Sequence, residues 1–349
     1  MRGSRMRSHR TSRQLVGMVA ALCVAGSALV AGQSSSSSLP PKPSAIPRTP
    51  DGKPDLQGVW DFRTITPMER PKELANKATL TEEEARQWEI QNRRNQDNRE
   101  KGAARTVNGQ ESNQDVERAY NDFWWDFGTN AVKTRRTSLV IDPPDGRIPA
   151  LTAAAQTRAA ERRARGERLA EGPEDRNIGE RCILGFNAGP PMLPSAYNNN
   201  VQIVQTKDYV LIHNEMVHNA RVAPLVSKTT PSVPTWNGHS RARWEGDTLV
   251  VETKGFLGQT SFQNSSDKLH VVERFTRTDA DTLIYRFTIN DPTTWTKPWT
   301  AEVPMTRSDE LMYEYACHEA NYGMENLLKG ARYLEKEGGA STTTTTRQP

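Results

Sequence analysis

The feature that most constrains this chain is a period-two alternation of apolar and polar residues that recurs between Val201 and His318. It is clearest from Leu283 to Ile289, where every second residue is a large apolar one. Successive side chains of a β-strand point to opposite faces of the sheet, so this pattern is typical of strands that bury one face. The sequence therefore predicts a mainly β protein.

Polar turns separate the alternating segments, and they are short enough to join neighbouring strands as hairpins. We predict such turns at Lys207-Asp208, Gly246-Asp247, Asp279-Ala280-Asp281 and Ser308-Asp309, the last leading into a strand from Leu311 to Cys317. Successive hairpins form an antiparallel meander, and about eight strands are enough to close into a barrel without exposed edges. The predicted fold is a lipocalin-like β-barrel with added helices, and a β-sandwich is the alternative.

Composition divides the whole chain into regions of different character. The predicted organisation is a signal peptide at 1–32, a Ser/Pro-rich linker at 33–50, a partly helical N-terminal region at 51–200, an antiparallel β-barrel core at 201–320, a C-terminal helix at 321–337 and a disordered tail at 338–349. Within the N-terminal region we predict a first barrel strand at 59–63 and helices at 81–100 and 152–170. The aromatic cluster at 123–127 is interpreted as a plug packed against the core, with a ligand lid as the alternative.

The N-terminus predicts export. Five arginines precede an uncharged apolar run, which is the pattern of a secretory signal peptide, and the run is short for a bilayer span. The formal net charge of +4 includes these five arginines and no acidic residue from 1–32, so cleavage leaves 4 − 5 = −1. We therefore expect a periplasmic or secreted protein with no stable membrane span after cleavage and no affinity for nucleic acid.

Two cysteines remain after the predicted cleavage, Cys182 and Cys317. In an oxidising compartment two cysteines that are distant in sequence favour one disulfide, and two buried thiols are the alternative. No CxxC pair is present, so the cysteines do not predict a zinc finger.

Long phrases of the chain resemble a family of secreted bacterial proteins of unassigned function. The phrases that carry the resemblance are ERCILGFNAGPP, YNNNVQIVQT, RWEGDTLVVET, LHVVERFTRTDADTL, DPTTWTKPWTAE and YEYACHEANYG, extended toward the N-terminus by PDGKPDLQGVW and TSLVIDPPDGRIPAL. This resemblance implies export and a shared fold, and it implies no activity. Gly58-Val59-Trp60 also resembles the GxW motif of lipocalins, which implies ligand binding by analogy.

Candidate chemistry concentrates in a hairpin at 209–221 and the strand that follows it. Glu215, His218 and Arg241 are the candidate catalytic residues, because a histidine beside a carboxylate suits proton transfer. Strand alternation places Glu215 and His218 on opposite faces, so their pairing requires a turn or a bulge between Met216 and His218. A satisfied structural network of these charged groups is the alternative.

Four polar or aromatic residues near the predicted strands are candidate ligand-binding residues: Asn199, Trp244, His270 and His318. We expect no metal and no cofactor, since HExxH, Walker, GxSxG and GxGxxG motifs are absent. Three functions stay open. The first is an exported lipocalin-like binding protein for a small, hydrophobic or aromatic molecule. The second is a barrel hydratase, isomerase or lyase that uses His/Glu proton transfer, and the third is an envelope-associated structural protein.

Overall fold

The computed structural model describes residues 46–100, 106–107, 110–111, 126, 128–226, 233–258, 262–263, 265–319 and 321–337. The predicted signal peptide, most of the predicted linker, the aromatic side chains of 123–127 and the predicted tail lie outside these residues. In the described part, no helix is long and apolar enough to cross a membrane.

The described part of the chain contains twelve β-strands and three α-helices. The strands are β1 (Gly58–Asp61), β2 (Thr106–Val107), β3 (Gln110–Glu111), β4 (Val140–Asp142), β5 (Asn200–Gln205), β6 (Tyr209–Asn214), β7 (Ala220–Pro224), β8 (His239–Glu245), β9 (Thr248–Lys254), β10 (His270–Arg277), β11 (Thr282–Asn290) and β12 (Trp299–Ser308). The α-helices are α1 (Glu82–Glu100), α2 (Ala153–Gly166) and α3 (Tyr322–Lys336). Thr81 and Glu84 cap α1 reciprocally, as a capping box requires.

Ten strands form one antiparallel sheet in the order β7-β6-β5-β1-β12-β11-β10-β9-β8, with β4 paired to β12. The mainly β, antiparallel prediction is confirmed, and the turns predicted at 207–208, 246–247 and 279–281 join adjacent strands. The predicted first strand is present as β1, but it lies between β5 and β12. The N-terminal region therefore contributes to the middle of the sheet, where Trp60 of β1 is fully buried.

The sheet is not closed, so the predicted barrel is not confirmed. Nine strands that alternate in direction leave β7 and β8, at the two ends, parallel to each other, and no backbone pairing joins them. The ends nevertheless approach, because Arg221 on β7 lies 2.6 Å from Glu273 on β10. Six strand spacings separate β7 from β10, which would be about 29 Å in a flat sheet. The sheet is therefore strongly curled.

The concave face of the curled sheet is filled with side chains. Leu283, Tyr285, Phe287 and Ile289 are all 0 % exposed, as the alternation predicts. They belong to one core with other large inward-facing residues, among them Trp60, Ile203, Ile212, Phe275, Trp299 and Met305. Met192 also enters this core, and its backbone N–H donates a 3.0 Å hydrogen bond to the hydroxyl of Tyr285.

The predicted strand from Leu311 to Cys317 is wrong, and so is the hairpin turn predicted at 308–309. This segment is irregular, and Leu311 and Tyr313 are 74 % and 71 % exposed. β12 is already paired with β1 on one side and β11 on the other, so no strand edge is open where β12 ends. Alternation alone cannot show that both edges of the preceding strand are occupied.

The loop between β11 and β12 is organised around one buried carboxylate. Asp291 accepts hydrogen bonds of 2.7–3.0 Å from the backbone N–H and hydroxyl of Ser266, from the same groups of Thr293 and from the hydroxyl of Thr294. Burial raises the pKa of Asp291, but these donors outweigh it and hold the pKa below its usual range. Asp291 thus ties the β9–β10 loop to the β11–β12 loop.

We expect Asp291→Asn to lower the free energy of unfolding by about 1–3 kcal/mol at neutral pH, because an amide cannot accept all of these hydrogen bonds. Since the folded pKa of Asp291 is depressed, its stabilisation is present above the unfolded pKa of about 3.9 and is lost as the pH falls through the folded pKa. Urea titrations of both proteins should show the difference shrinking below about pH 4. If the difference in unfolding free energy between the two proteins does not change with pH, the stabilisation does not come from the ionised carboxylate of Asp291.

Candidate functional site

Two of the predicted catalytic residues lie in the tight turn between β6 and β7. Met216–His218 is a single 3-10 turn, and Val217 and His218 have φ values of 48° and 41°. The backbone N–H of His218 donates a 3.1 Å hydrogen bond to the carbonyl oxygen of Glu215. The structure therefore contains the turn that the catalytic hypothesis requires between Met216 and His218.

The side chains of this turn have different surroundings. Glu215 is 5 % exposed, and its carboxylate accepts hydrogen bonds from the amide of Asn200 at 3.0 Å and the backbone N–H of Tyr313 at 3.3 Å. His218 is exposed, and it acts together with burial to lower the pKa of His213, burial being the larger cause. The Glu215 carboxylate thus fastens the segment after β12 to the sheet.

Arg241, the third candidate catalytic residue, lies on β8 at the opposite end of the strand order from β7. Among the described residues, no hydrogen bond or ion pair joins its side chain to Glu215 or His218. The convergence of these three groups therefore stays a hypothesis that the described contacts do not support.

The candidate ligand residues are dispersed over the fold. Asn199 is 2 % exposed, and its amide bonds to the backbone of Ser195 and Asp126 at 2.8–3.0 Å, which organises the approach to β5. Trp244 lies on β8, where the ammonium group of Lys53 is 5.8 Å from its ring centroid. These two residues therefore have separate partners and form no common site in the described contacts.

The two candidate histidines also lie apart. His270, on β10, is 2.8 Å from the carboxylate of Glu252; burial first and Lys254 second lower its pKa, against the opposing effect of Glu252. His318 is exposed and follows Cys317, which forms the predicted disulfide with Cys182. The Cα atoms of the cysteines are 5.7 Å apart, so the disulfide prediction is confirmed.

The most deeply buried charged cluster lies inside the curled sheet. Arg221 makes two hydrogen bonds to Glu273, at 2.6 and 2.9 Å, and the hydroxyl of Tyr285 donates to the same carboxylate at 2.8 Å. All three residues are at most 4 % exposed. Burial opposes the charge of Arg221, but Glu273 outweighs it and raises the pKa of Arg221, while burial is the main cause that raises the pKa of Tyr285.

This cluster has the geometry of a structural link. Met192 is fully buried and its backbone N–H donates to the hydroxyl of Tyr285, so the segment 187–193 is joined to the charged pair through this tyrosine. Asn214 and Asn219 hold that segment by hydrogen bonds to the carbonyl oxygens of Ala188 and Gly189. The sequence contains one signal for this cluster, which is a charged residue at a strand position that faces inward. Glu273 is such a residue, because it alternates with the apolar residues Val271 and Phe275.

A cleft of about 420 Å³ with a mixed polar and apolar lining lies beside β1 and β12. We name it the acid–base cleft, and its lining residues are Asp61, Arg63, Thr64, Asp126, Gly128, Thr129, Asn130, Ala131, Val132, Lys133, Thr282, Pro304, Met305 and Thr306. Two carboxylates and two cations balance the charge of the lining, and four threonines supply hydroxyl groups. The cleft therefore presents both donors and acceptors without a large net charge.

The two cations of the acid–base cleft, Arg63 and Lys133, have different hydrogen-bond partners. Arg63 hydrogen-bonds to Asp61 at 2.8 Å and to Asp126; burial lowers its pKa, but both carboxylates outweigh burial and raise the pKa above its usual range. Lys133 is exposed and donates a 3.1 Å hydrogen bond to the hydroxyl of Thr282. Sequence reasoning missed this cleft because its residues come from β1, from 126–133 and from β11 and β12, far apart in the chain.

In the described part of the chain, no group of three or more His, Cys, Asp or Glu side chains has an arrangement that could hold a metal ion. No protein-family model, curated protein or solved structure matches the chain. The resemblance to secreted bacterial proteins and the lipocalin-like motif therefore stay predictions.

Proposed function

We propose that this is an exported binding protein that holds a small polar molecule in the acid–base cleft. The cleft volume of about 420 Å³ carries the proposal, because small-molecule sites usually measure about 300–1,000 Å³. The scaffold would be a lipocalin-like barrel that is incompletely closed between β7 and β8, in line with the GxW resemblance of Gly58-Val59-Trp60.

The acid–base cleft suits this role better than the interior of the sheet. A hydrophobic ligand of the lipocalin kind needs interior space, and here that space holds Tyr285, Phe287, Trp299 and Met192, all 0 % exposed. The cleft instead offers hydroxyl, carboxylate, guanidinium and ammonium groups. We therefore place the ligand in the acid–base cleft and not in the filled interior, and we expect it to be polar and of little net charge.

Lys133 is the group of the cleft that we assign to ligand contact. Asp61 and Asp126 hydrogen-bond to Arg63 and compensate its charge, whereas Lys133 hydrogen-bonds to the hydroxyl of Thr282 and interacts with the carboxylate of Asp279 through its charge without a hydrogen bond to it. An ammonium group carries three donors, so the contact to Thr282 leaves donor capacity for a ligand. Its side chain is exposed, so replacing it leaves the buried core unchanged.

Two features support export to an oxidising compartment. The N-terminal pattern of arginines and an apolar run is that of a secretory signal peptide. The Cys182–Cys317 disulfide is of the kind that persists outside the cytosol. We therefore propose that ligand binding takes place in the periplasm or outside the cell.

We expect a thermal-shift screen of sugars, polyols and amino acids to find a stabilising ligand, and Lys133→Met to weaken its binding about tenfold or more. Loss of one hydrogen bond from a charged group costs about 1.5–3 kcal/mol, which corresponds to that factor. Calorimetric titration measures the affinity. Lys268→Met is the matched control, because Lys268 is also exposed but pairs with Asp267 away from the cleft. Equal losses in the two variants, or none in Lys133→Met, would refute the proposal.

A further inference from the structure

An exposed aromatic cluster, which we name the aromatic shelf, consists of Phe186, Tyr197 and Tyr315. Phe186 packs edge-on against Tyr197 with ring centroids 5.5 Å apart. Tyr197 stacks on Tyr315 at 6.2 Å with an angle of only 10° between the ring planes. Phe186 is 49 % exposed, and the two tyrosines are half-buried. The shelf therefore presents aromatic surface to solvent in a defined arrangement.

The aromatic shelf adjoins the acid–base cleft. Asp126, which lines the cleft, donates its backbone N–H to the carbonyl oxygen of Ala196, the residue before Tyr197. Arg63 also lines the cleft, and its guanidinium lies 3.9 Å from Glu310, in the same irregular segment as Tyr315. Cleft and shelf are thus linked through both segments that carry the two tyrosines.

The shelf is held in place before any ligand binds. Cys182 precedes Phe186 by four residues and Cys317 follows Tyr315 by two, so the disulfide joins the two flanks of the shelf. Burial, followed by the hydrogen-bonding contact with Tyr315, raises the pKa of Tyr197 to about 12. A rigid surface loses little conformational entropy when a ligand binds.

We propose that the cleft and the shelf together bind an uncharged oligosaccharide, with one sugar in the cleft and its neighbours on the shelf. This inference rests on the function proposed for the cleft and names its ligand class. The faces of sugar rings are apolar and fit flat aromatic rings, while sugar hydroxyls both donate and accept hydrogen bonds. The balanced charges of the cleft provide such partners and do not favour a charged chain.

The test is the dependence of affinity on chain length, with cellotriose, maltotriose and chitotriose compared with glucose and N-acetylglucosamine. We expect at least one trisaccharide to bind about tenfold more tightly than its monosaccharide. Phe186→Ala should weaken that trisaccharide about five- to tenfold and leave the monosaccharide unchanged, because one aromatic contact is worth about this factor. Tyr333→Ala on α3 is the control, since Tyr333 is 63 % exposed and outside the shelf. Phe186→Leu replaces Phe186→Ala if the latter does not fold.

The outcomes separate this inference from the function on which it rests. The oligosaccharide assignment is overturned if mono- and trisaccharide bind equally tightly, or if only a different polar molecule binds. The function proposed for the cleft still holds in that case if Lys133→Met weakens binding of the molecule that does bind. Concentration-dependent dimers that Phe186→Ala dissociates, without saccharide binding, would assign the shelf to a second copy of the chain and overturn the inference. If trisaccharide binding depends on Phe186 but not on Lys133, the cleft function fails and the inference fails with it.

Discussion

Replacing Arg221 with Met is expected to lower the free energy of unfolding by about 3–5 kcal/mol, because it leaves the Glu273 carboxylate buried without its cation. The carboxylate of Glu273 is then a buried charge that only the hydroxyl of Tyr285 still stabilises. Chemical denaturation at neutral pH, followed by tryptophan fluorescence, measures the loss.

Two further variants make this prediction specific. The double variant Arg221→Met/Glu273→Gln should recover most of the loss, because it removes both charges and keeps an acceptor for the hydroxyl of Tyr285. Glu245→Gln is the matched control. Glu245 forms an equally short ion pair with Arg274, at 2.6 Å, on the exposed side, where such pairs contribute about 0–1 kcal/mol. If Arg221→Met and Glu245→Gln cost the same, the buried pair does not have the role that we assign to it.

Removal of the disulfide by Cys182→Ala/Cys317→Ala is expected to destabilise the protein by about 2–5 kcal/mol. The two cysteines are 135 residues apart, and a cross-link over so long a loop strongly restricts the unfolded chain. Equilibrium unfolding in urea measures the change in the free energy of unfolding. The dependence of this free energy on urea concentration is compared between the two proteins. Replacing both residues avoids a free thiol that could form other disulfides.

A reducing agent provides the internal control for this second experiment. It should lower the stability of the unmodified protein to that of the double alanine variant and leave the variant unchanged. Peptide mapping without reduction should recover a linked pair containing Cys182 and Cys317. Full alkylation of both thiols in native, oxidised protein would contradict the bridge.

Local patterns account for most of the correct predictions about this fold. The alternation over 283–289 requires only that one face of a strand be buried, and all four apolar residues there are buried. The capping box at Thr81 and Glu84 is likewise a local arrangement, and α1 begins directly after Thr81. The disulfide was predictable because only two cysteines follow the predicted signal peptide.

The sequence identified candidate site residues without identifying their partners, for a physical reason. The hairpin at 209–221 was a candidate because it contains charged residues. In the structure, the carboxylate of Glu215 accepts hydrogen bonds from Asn200 and the Tyr313 backbone, and Arg221 pairs with Glu273. Whether a charged residue is free or paired depends on partners that lie many residues away. The acid–base cleft shows the same dependence, because no short segment contains its lining.

By itself, the sequence determined most of the strand-forming segments, three of the hairpin turns, the buried face over 283–289, the start of α1 and the cysteine pair, since these follow from local patterns along the chain. Only the tertiary structure decided that β1 lies between β5 and β12, that 311–317 forms no strand and that the sheet is curled but unclosed. These outcomes depend on which strand edges are already occupied and on one buried ion pair across the sheet. Both are contacts between distant residues, which a periodic pattern does not contain.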